Sequence, residues 1–163
     1  MKLRELLFIA NYLTVVFVSK MVLAGIPNVQ VTFLLMLLFV ANFKFHKYFI
    51  FLIGFVILEF IAWGYFTLMF PTLFSWLILY FLYKIFNSNN EHILMLIALI
   101  FTIIHAITYG IHDIIFIGMP INRLWIYLMS GIPFNLAFLF SSILTIIWLF
   151  DPLNRLIKRE VIK

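Results

Sequence analysis

Six apolar stretches occupy most of the chain and leave room for little besides membrane-spanning helices. Counted from the sequence, the predicted helices cover residues 5–24, 29–43, 47–63, 70–86, 91–109 and 132–149. A helix needs roughly 20 apolar residues to cross a bilayer, and roughly 17 suffice, so only the second stretch is short. A soluble domain with 66% hydrophobic and 10% charged residues would leave large apolar patches in water. The sequence therefore predicts an all-α integral membrane protein, with residues 1–163 forming one compact six-helix transmembrane bundle.

Most basic residues lie in the termini and in alternate connections between these helices. They are Lys2, Arg4, Lys44, Lys47, Lys84, Arg155, Lys158, Arg159 and Lys163. Six spans place both termini on the same side, and loops rich in Lys and Arg favour the cytoplasmic side. We therefore expect a multi-pass protein of the bacterial plasma membrane with both termini in the cytoplasm. The net charge of +5 belongs to this pattern and does not indicate binding to nucleic acid.

A second polar set is predicted near the opposite surface. It consists of Lys20, Glu59, His105, His112, Asp113 and Arg123. A charge in hydrocarbon is costly, so several on one side indicate a shared polar cavity that opens outward. Lys20 also interrupts the first apolar run, which favours a membrane helix there over a cleaved signal peptide.

The last helix has two possible starts. It either runs over residues 125–150 with a kink at Pro133, or begins at Ser130-Gly131-Ile132-Pro133. The second start is favoured because proline is tolerated in the first turn of a helix. It makes residues 110–129 a long connection, of a length often found in functional lids, and places Asn135 in the first turn beside the polar set.

Spacing places three polar residues of the fifth predicted helix on one face. His105, Tyr109 and His112 follow at i, i+4 and i+7 if that helix extends so far. They either line a ligand pocket, supply an axial ligand to a metal-containing cofactor, or hydrogen-bond to neighbouring helices. The two histidines are about 10 Å apart along the axis, too far to share one ion. No metal site is therefore assigned.

The other candidate ligand contacts also have more than one interpretation. Lys20 and Glu59 either pair with each other or contact a ligand, and Lys20 can also reach the headgroups. Asp113 and Arg123 are either solvated loop charges or ligand contacts. Aromatic residues near the same surface either form an interfacial belt or stack on a flat ligand. These aromatic residues are Trp63, Tyr65, Trp125 and Tyr127.

One pair of small residues is a candidate for helix contact. Ala10 and Thr14 on the first helix form a small-xxx-small pair, which allows close approach inside the bundle or by another subunit.

Nothing in the sequence indicates an enzyme. It contains no phosphate-binding glycine loop, no paired catalytic carboxylates, no nucleophile elbow and no cysteine. An ATP-driven role would need ATPases on other chains.

Two regions resemble substrate-binding S-components of energy-coupling factor (ECF) transporters, a type of ABC transporter. The first region reads Gly54-Phe55, Glu59, Ala62-Trp63-Gly64-Tyr65 and Phe70-Pro71-Thr72-Leu73. The second reads Ser130-Gly131-Ile132-Pro133-Phe134-Asn135 and Phe150-Asp151-Pro152-Leu153. In the family pattern an aspartate is usual at the position of Asn135, which puts a charge-based role there in doubt.

The resemblance implies a six-helix protein that captures a vitamin or related micronutrient from outside. Its partners would be a transmembrane coupling protein and two ABC ATPases, with Ala10 and Thr14 as a degenerate form of the family's coupling contact. The loops 25–28, 64–69 and 110–129 would form a lid. No intrinsic cofactor is implied; the ligand would be a flat heterocycle, a corrinoid, a porphyrin or a carboxylated vitamin.

Two other functions compete with this one. Residues 28–33 loosely resemble a rod-shape morphogenesis scaffold of the MreD type, which needs partner surfaces and binds no small molecule. A stand-alone secondary transporter would carry coupling charges near the midplane of the membrane, whereas these are predicted to lie higher. The outer polar set favours the S-component.

Overall fold

The computed structural model describes residues 3–25 and 31–161, and the described residues are almost entirely helical. The helices are α1 (Leu3–Leu23), α2 (Thr32–Asn42), α3 (Phe45–Trp63), α4 (Met69–Phe86), α5 (Glu91–Phe116), α6 (Leu124–Thr145) and α7 (Asp151–Val161). Short 3₁₀ turns at Phe66–Leu68 and Ile121–Arg123 precede α4 and α6, and a π-helical turn at Ile146–Phe150 joins α6 to α7.

Five of these helical stretches are long and apolar enough to cross a membrane. They are α1, α3, the stretches Phe66–Phe86 and Glu91–Phe116, and the continuous stretch Ile121–Arg159. Most of their apolar surface faces outward; in α1, for example, only Ile9 and Val16 are buried. Such surface is stable in lipid and not in water. The chain is therefore a multi-pass membrane protein by the length and composition of its helices.

The short second helix lies at the centre of the bundle. Its 11 residues extend about 16 Å, roughly half the hydrocarbon thickness of a bilayer. Its side chains from Thr32 to Val40 are buried, except for the half-buried Leu35, and it contacts α1, α3, α4, α6 and α7. A helix that is apolar on all sides is expected in such a position. The prediction that this helix is short is confirmed, while its predicted start at residue 29 lies outside the described residues.

Ion pairs at the two ends of α1 and α3 show that these helices run parallel. Lys47 Nζ lies 2.9 Å from Glu5 Oε1 at their first turns, and Lys20 Nζ lies 2.7 Å from Glu59 near their last turns. In α4, which returns antiparallel, Tyr80 stacks on Tyr48 in the first turn of α3 with ring centroids 5.4 Å apart.

The remaining helices also alternate in direction along the chain. Tyr109 near the end of α5 contacts Thr72 at the start of α4, and Gly110 packs against Leu124 at the start of α6. Asn42 Nδ2, at the end of α2, donates a hydrogen bond of 2.8 Å to Asn154 Oδ1 in α7. The first turn of α1 and α7 therefore lie at the same end of the bundle. We call this the basic end and the opposite one the cavity end.

Helix ends predicted from the sequence agree with the structure for α1, α3 and α4 to within two residues. Gly64 ends α3 with a φ of 73°, a left-handed conformation that glycine adopts without strain. Asn90 begins α5, where its side chain accepts a hydrogen bond of 2.9 Å from the backbone nitrogen of His92.

The predicted connection over residues 110–129 is wrong. α5 continues to Phe116 and α6 already begins at Leu124, so His112 and Asp113 are helical and Pro133 lies inside α6. An unpaired backbone group in hydrocarbon costs several kcal/mol, which favours unbroken helices at this depth. The one backbone hydrogen bond lost at an internal proline costs less than the several that an irregular connection would leave unpaired there. The alternative, in which the last helix starts early and runs on through Pro133, is the better description.

The predicted end of the last helix at Asp151-Pro152 is also wrong. The chain passes through the π-helical turn into α7, where Pro152 occupies the first turn, a position that tolerates proline. Asn154 and Ile157 are buried against the bundle, while Arg155 and Lys158 are exposed. α7 is thus an amphipathic helix that covers the basic end beside α2.

Substituting Gly110 with valine is expected to destabilise the bundle by about 1–3 kcal/mol, the usual range for overpacking. A Cβ atom there would lie 2.6 Å from Leu124 Cδ1 and 3.3 Å from the ring of Tyr127, so the Leu124 side chain would have to leave its rotamer and the tyrosine ring would have to shift. Thermal unfolding in detergent measures the effect. Gly25→Val is the control, since a Cβ at Gly25 meets no atom of the described residues within 4 Å; an equal loss in both variants would contradict the prediction.

Candidate functional site

A cavity of about 500 Å³ lies at the cavity end, between α1, α4, α5 and α6; we call it the main cavity. Its lining residues are Lys20, Thr72, Trp76, His105, Ala106, Tyr109, Tyr127, Leu128, Ser130, Gly131, Phe134 and Asn135. The lining combines aromatic rings, hydroxyls, an amide and one charged side chain. Such a mixture on a concave surface is typical of small-molecule sites.

Aromatic rings enclose the imidazole of His105 on the wall of the main cavity. Phe138 stacks on it at 5.9 Å with an interplanar angle of 7°, and Phe101 stacks at 5.5 Å. Tyr109 and Trp76 approach from other directions, at centroid distances of 4.6 and 6.3 Å. Its Nδ1 is buried and has no hydrogen-bond partner among the described residues. A buried polar atom without a partner is costly, so the ring carries an unmet hydrogen bond in the wall of the main cavity.

Lys20 and Glu59 form an ion pair beside the main cavity. Lys20 Nζ lies 2.7 Å from both carboxylate oxygens of Glu59 and also lies over the ring of Phe55, 5.6 Å from its centroid. The side chains are 28% and 13% exposed, so water screens the pair only in part. The pairing interpretation of these two residues is confirmed. Lys20 nevertheless still lines the main cavity and so can also face a ligand.

Glu59 belongs to a second, smaller cavity of about 40 Å³. Its other lining residues are Phe60, Trp63, Tyr65, Leu68, Met69, Thr72 and Tyr109. Thr72 and Tyr109 line both cavities, and their hydroxyl oxygens are 2.8 Å apart. This hydrogen bond and the Lys20–Glu59 pair therefore separate the two cavities.

Residues of α6 complete the main cavity because that helix starts earlier than predicted. Asn135 lies about three turns after the start of α6, not in its first turn, and lines the main cavity together with Ser130 and Gly131. A Cβ atom on Gly131 would lie 3.3 Å from Asn135 Nδ2. Glycine here therefore leaves room for the amide.

The structure divides the eleven predicted ligand contacts into three groups. Four line the main cavity: Lys20, His105, Tyr109 and Asn135. Glu59, Trp63 and Tyr65 line the smaller cavity, together with Tyr109. The remaining four, His112, Asp113, Arg123 and Trp125, line neither cavity.

This last group lies close to the site but faces elsewhere. His112 lines a separate apolar groove between α4 and α5, where its ring stacks on Phe116 at 5.1 Å. Its Nδ1 lies 2.9 Å from Asp113 Oδ1. Arg123 is exposed in the turn before α6, and Trp125 is 67% exposed on the outer surface of that helix. Arg123 fits the solvated-charge interpretation and Trp125 fits the aromatic belt. For Asp113 the prediction of a solvated loop charge is wrong, since it lies in α5, is 24% exposed and pairs with His112.

Several lining residues were not predicted from the sequence. Thr72 and Trp76 are one helical turn apart on α4, and this i, i+4 spacing is the signal that could have identified the pair. Tyr127, assigned to the aromatic belt as one interpretation, also lines the main cavity. Ala106 and Phe134 are apolar and carry no sequence signal for a site.

Ala10 and Thr14, the predicted partner contacts, are both exposed on the outer surface of α1. Thr14 Oγ1 donates a hydrogen bond of 3.0 Å to the carbonyl oxygen of Ala10 within the same helix. The pair therefore faces lipid or another subunit and does not pack inside the described bundle.

Among residues 3–25 and 31–161, no three His, Asp or Glu side chains come together in a set that could hold a metal ion. Comparison of the chain with known protein families, with curated proteins and with solved structures gives no match.

Proposed function

We propose that the protein is a membrane-embedded substrate-binding subunit, the S-component of an ECF-type transporter. The observation that carries this proposal is the main cavity, whose volume of about 500 Å³ lies within the roughly 300–1,000 Å³ of small-molecule sites. Four of the ligand contacts predicted from the sequence line it, namely Lys20, His105, Tyr109 and Asn135. The protein itself would bind a vitamin or related micronutrient and would catalyse no reaction.

The position of the main cavity supports capture from outside the cell. The basic end carries Lys44, Lys47, Lys84 and the exposed basic residues of α7, so the positive-inside rule places it in the cytoplasm. The cavity end then faces outward across the bacterial plasma membrane. Phe33, Phe101 and Phe138 pack against one another, and the last two stack on His105 in the wall of the cavity.

Transport would need partners, because the sequence contains no nucleotide-binding motif. A transmembrane coupling protein and two ABC ATPases would supply ATP hydrolysis. The exposed Ala10 and Thr14 on α1 offer a surface of small side chains that would let a helix of the coupling protein approach closely. The alternative, an MreD-like scaffold, would bind cell-wall elongation proteins and no small molecule.

An affinity pull-down from native membranes, with a tag on this chain and mass spectrometry of the captured proteins, tests the proposal. We expect one large membrane coupling protein and two ABC-type ATPases. Capture of cell-wall elongation proteins without ATPases would reject the S-component and support the scaffold.

Replacing His105 with phenylalanine is expected to weaken ligand binding about tenfold, the equivalent of 1.4 kcal/mol. The substitution keeps an aromatic ring between Phe101 and Phe138 but removes the imidazole nitrogens. The amount of small molecule that co-purifies with the protein, measured by mass spectrometry of a solvent extract, reports the change. His92→Phe, at an exposed position on the basic end, is the control. Equal retention in both variants would remove His105 from the site.

A further inference from the structure

We propose that the main cavity selects ligands without net charge, either neutral molecules or zwitterions, of small flat-ring type. This inference rests on the proposed function and restricts the class of molecule that the site takes. It disfavours singly charged carboxylated vitamins. The observations that carry it are the charge balance of the two cavities, the volume of the main cavity and the arrangement of its aromatic rings.

The two cavities together contain one positive and one negative side chain. Among the described residues, Lys20 is the only Lys, Arg, Asp or Glu that lines the main cavity, and Glu59 is the only one that lines the smaller cavity. Because Lys20 Nζ lies 2.7 Å from the carboxylate, each charge already has its partner. Residues 26–30, which the structure does not describe, contain no ionisable side chain. The described site is therefore electrically balanced before any ligand enters.

This balance penalises a ligand with a single charge. An anionic ligand that paired with Lys20 would leave the 13% exposed Glu59 without a counter-charge. A cationic ligand that paired with Glu59 would leave Lys20 without one. A buried charge left without its partner is strongly destabilising. A neutral ligand leaves the pair intact. A zwitterion with suitably spaced groups exchanges one ion pair for two and also conserves the balance.

The volume suits a small ring system. A cavity of about 500 Å³ lies within the roughly 300–1,000 Å³ of sites that bury drug-sized ligands, so a fused system of one to three rings fits this space.

The walls favour a flat ring with polar edges. Trp76, Tyr109, Tyr127 and Phe134 supply aromatic surface around the cavity. Offset stacking and edge contacts with such rings add to the burial of an aromatic ligand. The amide of Asn135 and the hydroxyls of Tyr109 and Ser130 line the cavity and offer hydrogen bonds that need no charge on the ligand.

Two sets of ring-matched probes test the charge selection. One set is indole-3-acetamide, indole-3-acetate and tryptamine; the other is nicotinamide, nicotinate and 1-methylnicotinamide. Each set holds one neutral, one anionic and one cationic compound on the same ring. The shift of the unfolding temperature at equal probe concentrations is measured for wild type, Glu59→Gln, Lys20→Gln and the double variant Lys20→Gln/Glu59→Gln.

In the wild type we expect the neutral member to bind at least about tenfold more tightly than either charged member of its set. Glu59→Gln leaves Lys20 unpaired and should transfer the preference to the anion, whereas Lys20→Gln should transfer it to the cation. The double variant removes both charges, remains balanced and should keep the neutral preference. It also serves as the control for a general loss of structure in the single variants.

Two results would overturn the inference in different ways. If a charged probe binds the wild type as tightly as its neutral counterpart, the charge selection is wrong while the main cavity remains a ligand site. If no probe of either set binds any of the four proteins, the inferred preference for small flat-ring ligands is wrong, while the pull-down and the co-purified small molecule still decide the proposed function.

Discussion

Replacing Ala106 with tryptophan is expected to abolish ligand binding by the main cavity while the protein still folds. Ala106 lies on α5 beside His105 and lines the cavity, so an indole at this position would occupy space that the ligand needs. Because the new side chain extends into a cavity and not into packed core, the bundle can accept it. We expect a loss of at least about 100-fold in affinity, the equivalent of about 2.7 kcal/mol.

The readouts for this variant are the co-purified small molecule and the elution profile on size-exclusion chromatography. Ala62→Trp makes the same change at an exposed position near the end of α3 that lines neither cavity. We expect the control to retain the small molecule. Full retention by Ala106→Trp in a well-folded sample would mean that the ligand binds elsewhere.

Replacing Lys20 with methionine is expected to lower the free energy of unfolding by about 3 kcal/mol, near the lower end of the range for removing one partner of a buried ion pair. The substitution keeps a long apolar side chain near Phe55 but leaves the carboxylate of Glu59 without its partner at 2.7 Å. We place the effect at the lower end because Lys20 is 28% exposed, so water reaches part of the pair. Thermal or denaturant unfolding in detergent measures the loss.

The chain contains a matched control for this variant. Lys47 and Glu5 join the same two helices at the basic end, where their side chains are 21% and 37% exposed. Lys47→Met should cost about 1 kcal/mol or less, as for ion pairs near the surface. The double variant Lys20→Met/Glu59→Leu should recover most of the stability because no unpaired charge remains. A double variant as unstable as Lys20→Met would show that the pair is not the source of the loss.

The number of residues along each predicted helix predicted much of the fold and part of the candidate site. Lys20 and Glu59 are each close to the end of a helix, and counting 1.5 Å per residue from the basic loops placed both at similar height. The same count placed His105 at a similar height, and the i, i+4 spacing placed Tyr109 on the same face of the helix. These inferences succeeded because a helix that crosses a bilayer converts sequence position directly into depth.

The rest depended on contacts between helices, which periodicity does not contain. In the sequence, Gly110 and Pro133 each predict the end of a helix. In the structure, Gly110 lies where α5 and α6 approach closely, and Pro133 lies inside a continuous α6. Depth is known from sequence, whereas rotation about the helix axis is not. His112 therefore shared a predicted face with His105, although it lies in a different groove.

The enclosed position of α2 has a consequence for the order of assembly during synthesis. At about 16 Å, α2 is too short to be a stable independent span when it leaves the ribosome. Its neighbours α4, α6 and α7 are all made later, and the Asn42–Asn154 hydrogen bond joins residues far apart in the chain. Complete burial of α2 therefore requires the last helix, so a nascent chain that stalls before α7 leaves part of α2 uncovered.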